Sequence, residues 1–190
     1  MGFNKEYFAL FLFAFIICSC DENKHVKSYR LPKTSFNISK NEVPKDIQKS
    51  INGISWDLPQ NWVPSDGHSM RLASFDVPFS RGIGDLSIVS LGSESGGLTA
   101  NVNRWRKQID LGPISESEIK TESIVGQSKS GSFRLFRLIN DSSKEKAILA
   151  AVLPMEGKTL YIKLTASQQG ISELENTFTK FCSSIGVAQK

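Results

Sequence analysis

The chain has 190 residues, a formal net charge of +4, three cysteines and two histidines. That length fits one domain with or without a tail, and so few cysteines and histidines exclude a structural zinc site. The sequence has no apolar run of about eighteen residues or more, which excludes an ordinary membrane-spanning helix.

The amino terminus carries the first pattern. Tyr7 to Cys18 is an uncharged run of twelve residues. As a helix it would be about 18 Å long at about 1.5 Å per residue, too short for a hydrocarbon core of about 30 Å. With Lys5 and the α-amino group as its basic flank, it has the layout of an export signal. Ile17-Cys18-Ser19-Cys20 follows. This stretch resembles the lipobox of bacterial lipoproteins: an aliphatic residue, a tolerant position, a small residue, then the cysteine. The resemblance implies cleavage before Cys20 and acylation of its thiol, leaving residues 1–19 as signal peptide. Two or more acyl chains anchor stably where one binds only marginally. Asp21 directly follows, which in enterobacterial lipoproteins resembles an inner-membrane retention signal; the leaflet stays open.

Residues 20–50 read as a basic tether, with seven Lys and Arg against four Asp and Glu, whereas residues 51–190 hold fifteen against fourteen. Basicity therefore belongs to the tether, and a nucleic-acid partner is not expected. The tether is either a solvated linker or a set of lysines resting against anionic headgroups, each contributing about 1 kcal/mol near the surface. Its span as a random coil is roughly 30 Å.

A single globular domain is expected over residues 51–188. Strands are predicted at 53–59, ended by Pro59, then at 70–77 and 85–91, separated by Pro78, Gly82 and Gly84. Further strands are predicted at 122–125, 133–139, 147–153 and 159–165. Leu160, Ile162 and Leu164 alternate with Tyr161, Lys163 and Thr165, and the continuous apolar run at 147–153 fits a central strand covered on both faces. The short turns between these strands make the sheet antiparallel.

Two helices are predicted. The first covers about 97–109, with Leu98, Val102, Trp105 and Ile109 on one stripe, Ser95 as N-cap and Gly112-Pro113 as its stop. The second covers about 168–185, with Ile171, Leu174, Phe178, Phe181 and Ile185 buried and Gly186 as C-cap. The fold class is α+β: a mostly antiparallel sheet of about six or seven strands with two main helices packed on it.

The strand leading into Pro59-Gln60-Asn61-Trp62 resembles the opening of PsbP-like domains, which implies an antiparallel sheet with helices on its faces. Residues 96–108, Gly-Gly-Leu-Thr-Ala-Asn-Val-Asn-Arg-Trp-Arg-Lys-Gln, resemble a motif of uncharacterised bacterial lipoproteins and exported proteins. Neither resemblance implies a catalytic residue.

Candidate chemistry is sparse. His68 sits between Asp66 and Ser69 in a loop-like run, too close in sequence to make a relay out of them. Ser93-Glu94-Ser95-Gly96-Gly97 lacks the lysine of a phosphate-binding loop, so it reads as helix capping. Cys182 is left as a lone thiol among Phe178, Phe181 and Ile185, either core filler or a reactive group. The first helix carries the candidate binding surface: Asn101, Arg104 and Gln108 on one flank, with Thr99, Asn103, Arg106 and Asp110 on the other, Arg106 and Asp110 at pairing distance along the helix. These amides and guanidinia either hold an acidic partner or fasten neighbouring loops.

The expected protein is a noncatalytic binding or assembly domain of the bacterial cell envelope, lipid-anchored through Cys20 and facing outward from the cytoplasm. It needs no metal or cofactor, and its partners are the bilayer and another envelope protein. The alternative is a small-ligand receptor or enzyme using a pocket between the first helix and the sheet, with Arg104 or Arg106 gripping an anion.

Overall fold

The computed structural model describes residues 51–67, 70–92 and 96–188. They belong to a compact unit spanning 44–190. Cys20, the apolar run before it and the tether through Ser50 lie outside the described residues, as do His68, Ser69 and Ser95.

The chain runs β1 (Ile54–Ser55), β2 (Val63–Pro64), β3 (Ala73–Phe79), β4 (Gly82–Gly92), α1 (Gly97–Lys107), α2 (Glu116–Glu122), β5 (Ile124–Ser128), β6 (Gly131–Ile139), β7 (Ala147–Met155), β8 (Lys158–Ala166), α3 (Gln168–Ser184) and β9 (Gly186–Val187). Seven strands form one antiparallel sheet in the order β2-β3-β4-β8-β7-β6-β5, and β1 pairs with β9. This is the expected α+β architecture. The strand order explains the path of the helices: the chain leaves the sheet at β4, crosses to the far edge through α1 and α2, and returns by hairpins until β8 closes against β4.

The sheet therefore has two covered faces. On one, Ile171, Leu174, Phe178 and Phe181 of α3 pack against Phe75, Leu86, Ile162, Leu164, Leu149 and Phe133. On the other, Val102 and Trp105 of α1, Ile109 just beyond it and Ile119 of α2 pack against Phe136, Ile148, Ala150, Val152 and Tyr161. Each large apolar side chain so buried contributes about 1.5–3 kcal/mol relative to exposure. β7 lies between the two layers, and every residue from Ala147 to Leu153 is buried, as the apolar run requires. The alternation in β8 also holds: Leu160, Ile162 and Leu164 meet α3, whereas Tyr161 faces α1. Trp56, Trp62, Phe75 and Phe181 form an aromatic cluster at one end of the α3 layer, Trp62 and Phe181 with ring centroids 4.9 Å apart.

Several boundaries differ from the sequence expectation. Pro78, Gly82 and Gly84 lie inside paired strands rather than between them. Pro78 is tolerated because β2 pairs only with Phe75 and Asp76, so β3 has a free edge beside it. The strand expected at 53–59 is reduced to the two residues of β1. α1 starts from Gly96 as N-cap, with Gly96 and Gly97 both at positive φ (82° and 64°). It ends before Gly112-Pro113: Asp110 adopts the left-handed conformation (φ 58°) and the Leu111 N–H donates to Arg106 O at 2.9 Å, which closes the last turn. Gly186 does not cap α3; Ile185 does, in extended conformation, and Gly186 pairs with Ser55 in the small sheet. α2 was not expected at all. Ser115 caps it through a reciprocal box with Glu118.

Candidate functional site

The polar residues predicted on the first helix turn out to have different surroundings. Asn101 is not on a surface: it is 3% exposed, its Nδ2 donates to Gly97 O at 2.7 Å, and its Oδ1 accepts from Arg104 Nη1 at 2.9 Å. Asn103 donates through Nδ2 to Ile114 O and accepts from Ile114 N, each at 2.9 Å. Arg106 donates through Nε to Gly112 O at 2.8 Å, and its Nη1 lies 3.4 Å from Glu122 of α2. Its ion-pair partner is thus Glu122, in place of the expected Asp110. Asn103 and Arg106 together hold the 108–115 segment against α1.

Gln108 accepts from Lys163 Nζ of β8 at 2.9 Å. Burial pushes the Lys163 ammonium below its ordinary pKa; nearby Asp85 opposes that shift, while Arg71 and Lys146 add to it. The five candidates therefore do not converge on one surface. Asn101 is inside, Asn103 and Arg106 fasten a loop, and Gln108 reaches the sheet. Arg104 is exposed, and among the described residues its side-chain hydrogen bond stays within its own helix, to Asn101.

A concave site does lie between the first helix and the sheet, displaced from these residues. It is a cleft of about 370 Å³ lined by Gly97 and Leu98 from the start of α1 and by residues of β5 to β8. Strand pairing sets its floor: Val125 faces Arg134, Arg134 faces Val152, and Val152 faces Tyr161 across four adjacent strands. These four side chains share one side of the sheet in a row. Pro154 and Thr159, also paired, form the next row. Tyr161 is held from behind by Trp105, the rings meeting edge to face at 6.1 Å. The arginine of the cleft is Arg134 of β6, in place of the expected Arg104 or Arg106; it is half-buried and donates from Nη1 to Ser123 Oγ at 2.7 Å.

Comparison with solved structures finds several similar chains, two of which follow. The solution structure of cyanobacterial PsbP (CyanoP) from Synechocystis sp. PCC 6803 is similar at a TM-score of 0.47 and 15% identity, over 72% of this chain and 87% of that one. A crystal structure of a protein from Bacteroides thetaiotaomicron VPI-5482 is similar at a TM-score of 0.45 and 10% identity, over 73% of this chain. The chain spans 46% of that second protein. No protein-family model and no curated protein matches the chain.

The remaining candidates are quickly placed. Cys182 is 1% exposed within the α3 core, and burial raises its thiol pKa strongly, so it is core filler in this fold. Among the described residues no group of three or more His, Cys, Asp or Glu side chains is arranged to hold a metal ion. Among those residues, too, no helix is long and apolar enough to cross a membrane.

Proposed function

We propose that this chain is a lipid-anchored binding domain of the bacterial cell envelope, with no catalysis of its own. Acylated Cys20 holds it at the cytoplasmic or outer membrane, residues 20–50 act as tether, and the α+β domain outside the cytoplasm binds another envelope protein or assists its assembly. The observation that carries this reading is Ile17-Cys18-Ser19-Cys20 directly behind an uncharged run of twelve residues. The structure adds support of a narrower kind. The amide and guanidinium groups Asn103 and Arg106 are engaged in holding a loop, and the Cys182 thiol is shut inside the core. The test is Cys20→Ala in cells fed labelled palmitate. The label and the membrane association are both expected to disappear, and a variant that keeps the label overturns the anchor.

The cleft beside α1 favours a second reading, a small-ligand receptor. Pockets of about 300–1,000 Å³ with apolar walls and a few polar groups are the usual setting for small molecules. Its volume of about 370 Å³ is within that range, at the small end.

A further inference from the structure

Strand β6 carries two arginines on opposite faces. Arg137, on the α3 face, meets a carboxylate: its Nε is 3.3 Å from Glu175 Oε2. Arg134, on the α1 face, makes no ion pair among the described residues. Its one hydrogen bond goes to the Ser123 hydroxyl, leaving most of the five N–H donors of a guanidinium without a protein acceptor there. Its cross-strand neighbours are the apolar Val125 and Val152. A half-buried cation between apolar walls that has lost part of its hydration, with no counter-ion among the described residues, favours any anion able to enter beside it.

The walls narrow the class of anion. Leu98, Val125, Val152, Pro154 and the Tyr161 ring give the cleft an apolar lining, and Val125 is 60% exposed although it is a large aliphatic side chain. A compact, highly hydrated dianion would leave that lining wet. A monocarboxylate with an apolar body satisfies both parts, its two oxygens matching the guanidinium fork and its body covering Val125 and Tyr161. The start of α1 opens on the same cleft through Gly97, and its first turn contains no acidic residue to repel a carboxylate.

We infer that the cleft between α1 and strands β5 to β8 binds a small amphipathic monocarboxylate, with Arg134 receiving the carboxylate. This rests on the receptor reading of the cleft and is independent of the lipid anchor. The experiment uses the full chain bearing Cys20→Ala, so that no acyl chain competes, titrated with octanoate and, separately, with octan-1-ol. Binding is followed by the indole N–H shift of Trp105, which packs on Tyr161, and by amide shifts of residues 123–136. Octanoate is expected to bind, and Arg134→Gln to weaken it at least tenfold while leaving octan-1-ol unchanged. Arg134→Lys should recover part of the loss. Val125→Asp changes an exposed side chain and places a carboxylate opposite Arg134; it too should abolish octanoate binding, which keeps the test open if Arg134→Gln folds poorly. Octanoate binding unaltered by Arg134→Gln or Val125→Asp overturns the inference. If octan-1-ol binds as well as octanoate, the carboxylate assignment fails and the receptor reading stands. If neither binds, both fail.

Discussion

Asn103 and Ile114 exchange two hydrogen bonds of 2.9 Å, the side-chain amide of one pairing with the backbone N–H and carbonyl of the other as a neighbouring strand would. The consequence is that the chain from 108 to 114 is closed back onto α1. Arg106 adds a clamp at Gly112, and Asn140 Nδ2 donates to Ile109 O at 2.9 Å from the β6–β7 loop. The connection between α1 and α2 is therefore fixed by side chains rather than by regular structure, and α2 can bury Ile119 against the sheet.

Replacing Asn103 with Ala removes both bonds at once and leaves two partly buried backbone groups of Ile114 without partners. The expected loss is about 1–3 kcal/mol, read as a lower midpoint in urea at unchanged slope. Asn103→Asp should recover only part of this, because it keeps an acceptor for Ile114 N–H and loses the donor to Ile114 O. Equal stability of wild type and Asn103→Ala would show that the pair contributes nothing.

Arg104 and Arg106 are two residues apart and should behave differently. The Arg106 side chain is 13% exposed and serves both Gly112 O and Glu122, whereas Arg104 is exposed and contacts Asn101 of its own helix. Arg106→Ala is expected to cost about 1–2 kcal/mol, chiefly through the carbonyl left unpaired and the lost packing of the stem. Arg104→Ala should cost less than Arg106→Ala, because it removes one hydrogen bond to Asn101 and leaves the 108–115 segment clamped. Thermal or urea unfolding of the two variants side by side decides the matter, and the reverse order would displace Arg106 from its role in the loop.

How much of this was legible in the sequence depends on how far apart the deciding residues lie. The α3 stripe of Ile171, Leu174, Phe178 and Phe181 shows its period within a helix of seventeen residues, and its burial follows directly. α2 has one buried residue, Ile119, in seven, so periodicity is silent; the Ser115-x-x-Glu118 spacing was the available signal. β2 and β9 hold two residues each and exist through their partners alone. The amides and arginines of α1 were visible as a polar array. Which of them were occupied depended on Ile114, Gly112 and Glu122, and on Lys163 more than fifty residues away. Arg134 was hidden for the same reason. Its position in a cleft follows from registers across four strands, which local alternation in β6 does not specify. Gly126 shows the same dependence: a Cβ there would fall 2.3 Å from the buried Phe133 ring directly opposite.

The acid response follows from two carboxylates at distant places. Glu118 is held below the ordinary glutamate range, first by the Ser115 hydroxyl and then by the Ser115 backbone N–H, with burial opposing. Glu173 of α3 is held down in the same way by the hydroxyl and backbone N–H of Ser80 in the β3–β4 turn, with Gln169 adding a third donor. A carboxyl whose pKa is lower folded than unfolded binds fewer protons in the native state, so its contribution is complete above the unfolded value, near about 4.3. That contribution is lost as the pH falls through the folded value. The first turn of α2 and the contact between α3 and the β3–β4 turn should therefore loosen on the acid side of that range, seen as faster amide exchange at Glu118 and Ser80. Carboxyl titration by NMR should place both groups below a free glutamate. Ser115→Ala should return Glu118 toward the ordinary range and leave Glu173 where it was. If Glu118 in the unaltered chain titrates like a free glutamate, the capping box does not hold α2 in solution.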